Sequence, residues 1–173
     1  MCGIEIVVTD GSMTLELWES TQQLEKIMKK RGPDFQGVLN FLQSEDQNCW
    51  IRSSVLHLRG SSITPQPLTN DKSNNFLSWN GEIFSGAIPI SDQQNDGKQL
   101  FSALQNTSQN LIPELFSSIH GPFAFCYWQA ETKTLWFGRD PLGRRSLLLH
   151  RSHQGNDEQS QKNNFYALFV FKQ

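Results

Sequence analysis

The chain reads as an α+β domain, most simply two β-sheets sandwiched between helical layers. Three observations point there. Strand-like runs come both before and after a small number of helical stretches. Neighbouring strands are joined by short polar turns, without the strand–helix–strand rhythm of a parallel sheet. Finally, 173 residues with 37% hydrophobic side chains suit one domain of ordinary size, and the chain shows no internal repeat and no linker.

Residues 4–8, apolar and β-branched at Ile4, Ile6, Val7 and Val8, predict a first strand. Over residues 14–30, Leu17, Leu24, Ile27 and Met28 recur at roughly helical spacing. Lys29, Lys30 and Arg31 suit the negative end of a helix dipole, and Gly32-Pro33 stops the helix. Residues 38–42 and 50–58 predict two strands around a polar turn at 43–48. Residues 59–75 hold two prolines and much Ser, Thr and Asn, and predict a loop whose length in a compact domain points to function. Residues 76–79 predict a strand that runs into Asn80-Gly81-Glu82.

Two helices are predicted at 99–104 and 111–119, each with an apolar stripe. A hairpin follows, 122–129 and 134–138, across the turn 130–133. Residues 139–145 read as a polar turn and 146–150 as a strand. Residues 152–164 are Gln- and Asn-rich without periodicity and read as a mobile insert, and 165–171 as a last strand.

Composition excludes several classes. A net charge of −2 gives no default attraction to nucleic acid or to an anionic membrane. No basic segment followed by an apolar one opens the chain, and no apolar run approaches a membrane span, so a soluble protein is expected. Three cysteines without CxxC spacing argue against a disulfide framework and a zinc site, and suit a reducing, cytoplasmic setting. Cys126, in an apolar run, reads as core, whereas the role of Cys49 is unreadable. The four histidines show no ligand spacing, so neither a metal nor another cofactor is expected.

The second residue is the most informative. Loss of Met1 would leave Cys2 with both a thiol and a free α-amine. Their ordinary pKa values, about 8.5 and about 7.7–8.0, let the amine serve the thiol as general base at little cost. Three further features stand out: Arg31-Gly32-Pro33-Asp34 after a helix, His57-Leu58-Arg59-Gly60 at a strand end, and Asn80-Gly81-Glu82-Ile83-Phe84 at another. Singly, these suit a helix stop, a solvated loop cation and a hairpin turn, and Cys2 suits a small apolar residue entering a strand.

Together, and in this order, they resemble the glutaminase domain of asparagine synthetase-type amidotransferases. These are class II glutamine amidotransferases with an N-terminal nucleophile. The match continues through Asp96 ahead of a helix, His120-Gly121-Pro122-Phe123-Ala124-Phe125 before a strand, and Gly138-Arg139-Asp140-Pro141-Leu142-Gly143-Arg144-Arg145 after the next. The resemblance implies a four-layer αββα sandwich of the N-terminal nucleophile hydrolases, filling residues 1–173.

It also implies roles. Cys2 would attack the side-chain amide of L-glutamine, and the Asn80 amide and Gly81 N–H would hold the oxyanion. Gly81 would be glycine because an amide approaching substrate needs free dihedrals. Arg59 would pair with the α-carboxylate, and Glu82 and Asp96 would receive the α-ammonium. Arg31 and Asp34 would order loops near the site. The products would be glutamate and ammonia, the latter passing to a synthetase domain or protein partner. No phosphate-binding Ser-Gly-Gly loop is present, so this chain alone would not make asparagine. The loop between Arg59 and Pro67 is shorter than in asparagine synthetases, and Glu5 is an unexpected charge near the nucleophile. The other reading is a catalytically inactive descendant, kept as a regulatory or partner-binding module.

Overall fold

The computed structural model describes residues 2–10, 15–43, 47–151 and 166–170. The predicted insert at 152–164 lies outside them. Strands β1 (Gly3–Asp10), β2 (Phe35–Gln43), β3 (Gln47–Val55), β8 (Leu148–Arg151) and β9 (Tyr166–Val170) make one sheet in the order β2-β3-β1-β9-β8. Strands β4 (Leu68–Asn70), β5 (Asn75–Gly81), β6 (Phe123–Gln129) and β7 (Thr134–Arg139) make a second, in the order β4-β5-β6-β7. All the strands named here pair antiparallel, helix α1 (Leu15–Arg31) carries the chain over β3 from β1 to β2, and Pro33 makes an isolated parallel bridge to Val55.

Side-chain alternation divides the sheets into inner and outer faces. Ile4, Ile6 and Ile51 of the first sheet pack on Phe76, Ala124, Cys126 and Trp128 of the second, forming a core between them. Ser53 and Ser78 share a 2.6 Å hydrogen bond across that boundary, which satisfies two fully buried hydroxyls. The second sheet's opposite face carries Leu77, Trp79, Phe123, Phe125 and Tyr127. Against it pack α2 (Asp96–Gln105), a 3₁₀ turn (Gln109–Leu111) and α3 (Ile112–Ser117), with Phe116 stacked on Phe125 at 3.5 Å between ring centroids. Both faces of β6 are therefore buried, which explains its unbroken apolar run.

Helix α1 (Leu15–Arg31) lies on the first sheet's outer face, where Thr21, Leu24 and Met28 are buried at helical spacing. Ile27, expected on the apolar stripe, is instead 52% exposed. The helix ends where expected, because Gly32 must pass against β3: a Cβ there would sit 2.4 Å from the Ser54 carbonyl carbon. Several boundaries differ from expectation: β2, β3 and α2 each begin three residues early. The third strand stops at Val55, three residues early, because residues 56–58 turn away to line a pocket. The loop at 59–75 contains β4, three residues held by pairing with β5. The helix expected at 111–119 is shorter and entered through the 3₁₀ turn.

Glu5 also lies on the face toward α1, directly opposite Arg52 in the β1–β3 register. Arg52 Nη1 is 3.1 Å from Glu5 Oε2 but donates its hydrogen bond to the Thr21 carbonyl at 3.0 Å, and Nη2 is 3.4 Å from Glu25 Oε2. Among the described residues neither Glu5 oxygen accepts a hydrogen bond. Burial therefore pushes the Glu5 carboxyl from its ordinary 4.5 up to about 8, against the pull of Arg52. Across that window the folded protein holds a proton that the unfolded chain releases, so stability falls as pH rises. Urea titrations from pH 5 to 9 are expected to show this decline, with a slope of up to about 1.4 kcal/mol per pH unit. Glu5→Gln is expected to flatten it.

Candidate active site

The alternation that builds the inner core also aims the site. Ile4 and Ile6 face the second sheet, so Cys2, in phase with them, opens onto the same side. On β5, Phe76 faces the first sheet, and Asn80, four residues on, shares its face. The two strands touch, and one pocket is lined by Cys2, Arg59, Asn80, Gly81, Glu82 and Asp96. All six residues singled out in the sequence thus meet in one place.

Cys2 is half-buried, and its Sγ donates to the Leu56 carbonyl at 3.8 Å. Burial is the largest influence on the thiol and raises its pKa. Its backbone is tied down by neighbours: Arg31 Nη2 donates to the Cys2 carbonyl at 3.4 Å, and Gly3 N–H to Ser54 Oγ at 3.0 Å. Asp34 Oδ2 accepts the His57 N–H at 2.6 Å. Arg31 and Asp34 therefore hold the backbone around the pocket, at Cys2 and at the 56–58 bend.

Asn80 and Gly81 do not form the hairpin turn that Asn-Gly favours in isolation. They end β5, in register with Ala124 and Phe123 of β6. Gly81 does not adopt a left-handed φ, so conformational freedom is not what requires glycine. Space is: a Cβ would lie 2.6 Å from Phe123 Cβ and 2.7 Å from the Trp79 ring. Glu82 is exposed, and its N–H is committed to the Pro122 carbonyl at 3.0 Å. Its carbonyl and its carboxylate are the acceptors it can offer a ligand.

One cation and one anion are set by a single residue between them. Arg59 Nη1 donates to the Ile83 carbonyl at 3.2 Å, and the Ile83 N–H donates to Asp96 Oδ2 at 3.0 Å. The Ile83 side chain is buried in the core of the second sheet, so both contacts rest on a fixed backbone. Asp96 begins α2, capped by Asn95, whose side chain accepts from Lys98 N–H. Burial raises the Asp96 pKa, and the N–H groups of Ile83 and Gly97 oppose it.

Thr64, Gln66, Asn95 and Arg145 also line the pocket, and sequence reasoning assigned them no role. Gln66 Oε1 accepts the Trp79 N–H at 2.7 Å and so braces β5 beside Asn80. Arg145 is delivered by Asp140, whose carboxylate accepts the N–H groups of Phe123, Leu142, Arg144 and Arg145. Burial works against that charge, but the surrounding N–H groups hold the Asp140 carboxyl below its ordinary range. The quoted run around Asp140 held a signal for it, but burial of Thr64 within a polar loop left none. Among the described residues no cluster of His, Cys, Asp and Glu could hold a metal ion. Gly81→Ala, which overpacks Phe123 and Trp79, is expected to cost about 1–3 kcal/mol in urea unfolding.

Comparison with known proteins agrees with this geometry. Residues 1–167 match the glutamine amidotransferase domain family. Asparagine synthetase domain-containing protein 1 of Gallus gallus is 42% identical over 155 residues, covering 88% of this chain and 24% of that protein. The protein of that name from Homo sapiens is 45% identical over 130 residues, covering 74% and 19%. Glutamine-hydrolysing asparagine synthetase B of Escherichia coli is 27% identical over 162 residues, covering 90% and 28%. The chain spans about a quarter of the length of the curated relatives it matches. By sequence and by the residues gathered in its pocket, the chain belongs to the glutamine amidotransferase domain family.

Proposed function

We propose that this domain hydrolyses L-glutamine to glutamate and ammonia through a thioester on Cys2. The observation that carries this reading is the single pocket shared by Cys2, Arg59, Asn80, Gly81, Glu82 and Asp96. Arg59 takes the α-carboxylate, while Asp96 and Glu82 take the α-ammonium, since a zwitterion needs both charges. The Cys2 sulfur attacks the side-chain amide carbon, and the Asn80 amide and Gly81 N–H receive the oxyanion. Losing one such donor typically costs about 2.7–4 kcal/mol of barrier. Collapse of the adduct expels ammonia, which leaves with the thiol's proton. Water then cleaves the thioester to glutamate and restores the thiol.

The architecture proposed for this chemistry is the four-layer αββα sandwich of N-terminal nucleophile hydrolases. The packing of α1 on one sheet and of α2 and α3 on the other supports it. Release of Met1 supplies the base. Buried, the thiol resists ionisation, and an α-amine on the same residue relieves that. The names of the longer relatives suggest where ammonia goes, to a synthetase domain or partner protein. The free thiols of Cys2, Cys49 and Cys126 suit a reducing, cytoplasmic location.

Intact mass after incubation with 6-diazo-5-oxo-L-norleucine, which alkylates N-terminal cysteine nucleophiles, tests this directly. Processed chain is expected to gain one adduct, blocked by L-glutamine and absent from Cys2→Ala. Chain carrying an uncleaved N-terminal extension is expected to stay unmodified near pH 7.5. A processed chain that folds yet never reacts would instead identify an inactive partner-binding module. Asp96→Asn is expected to weaken L-glutamine binding at pH 7 by about tenfold or more, measured by calorimetry.

A further inference from the structure

Thr64 is 3% exposed and lines the pocket, and among the described residues its Oγ1 has no hydrogen-bond partner. A buried hydroxyl without a partner is disfavoured, so its persistence at a binding site calls for a ligand atom that completes it. Thr64 lies on the same loop as Arg59, five residues on. One arm of the Arg59 guanidinium is already occupied by the Ile83 carbonyl. A carboxylate carries two oxygens with about four acceptor positions, more than the remaining fork of Arg59 satisfies. Asp96, by contrast, is the group suited to the ammonium, and a hydroxyl lining the same pocket as the guanidinium is better used as a donor to an anion.

We propose that Thr64 is a further substrate-binding residue, its hydroxyl donating to the α-carboxylate of the bound amino acid alongside Arg59. The proposal rests on the glutamine reading above and assigns it a second carboxylate donor. It also gives the short 59–67 loop a means of gripping the ligand by a side chain. Gln66, two residues on, is engaged with Trp79 N–H and fixes the loop against β5, which holds Thr64 in place.

The test uses the full chain carrying Cys2→Ala, so that L-glutamine binds without turnover. Calorimetry is expected to show Thr64→Val weakening L-glutamine binding by about tenfold, and Thr64→Ser restoring most of it. Thermal unfolding without ligand is expected to be unchanged or higher for Thr64→Val, because an unsatisfied buried hydroxyl is replaced by a methyl group of similar size. A crystal structure of the Cys2→Ala complex is expected to place Thr64 Oγ1 within 3.2 Å of a carboxylate oxygen. A lower melting temperature for unliganded Thr64→Val would mean a structural hydroxyl and overturn the proposal. Unchanged affinity, or a contact to the ammonium, would overturn it too. If the Cys2→Ala parent takes up no L-glutamine, the glutaminase reading falls and this assignment with it. If the parent binds and Thr64→Val binds equally, only the Thr64 assignment falls.

Discussion

The close apposition of two sheets through their inner faces is the constraint on which everything else depends. Ile4, Ile6 and Ile51 interdigitate with Phe76, Ala124, Cys126 and Trp128, and the Ser53–Ser78 bond fixes how they sit. Cys2 and Asn80 belong to opposite sheets, so no local feature of either strand could bring them together. Their meeting follows from the phase of alternation on β1 and β5 and from the packing between them. A slip of one residue in either strand would turn the thiol or the amide to the wrong face.

The buried polar groups divide by how they are satisfied. Asp140 collects four backbone N–H groups and keeps its charge, holding a turn onto the first residue of β6. Asp96 collects two and sits at the start of a helix, where a negative charge is favoured. Glu5 collects none among the described residues, and Arg52, its cross-strand neighbour, directs its hydrogen bond elsewhere. The carboxyl that gathers the most backbone N–H groups, Asp140, is held below its ordinary range, while burial raises Asp96 and Glu5 above theirs. Only Asp96 combines burial with a pocket wall.

Much of this was legible in the sequence, for identifiable reasons. Helix α1 carries its own periodicity, and the β6–β7 hairpin and the terminal strands their own apolar runs, which survive without tertiary context. The six candidate site residues sit in short runs whose order along the chain carried the signal. What could not be read depends on neighbours distant in sequence. Strand β4 is three residues of ordinary loop composition that becomes a strand by pairing with β5. Leu56 and Leu58 look like strand, yet the chain bends there and Leu58 is 74% exposed. Gly81 carries a glycine for a different reason from the one its motif suggests, namely the ring of Trp79 and the Cβ of Phe123. Ile27 is apolar at a helical position that the sheet does not reach.

Ile83 holds Arg59 with its carbonyl and Asp96 with its N–H. The gap between the two charges is then set by the backbone span of one residue and a hydrogen bond at each end of it. Under the proposed function, that makes this end of the pocket a caliper whose jaws are set to one head group whatever lies beyond it. Discrimination among amino acids must therefore be made at the far end, where Cys2 and Asn80 come from separate sheets and their separation is a matter of packing. A change in how the sheets sit would retune the length of side chain accepted and leave the grip on the head group untouched.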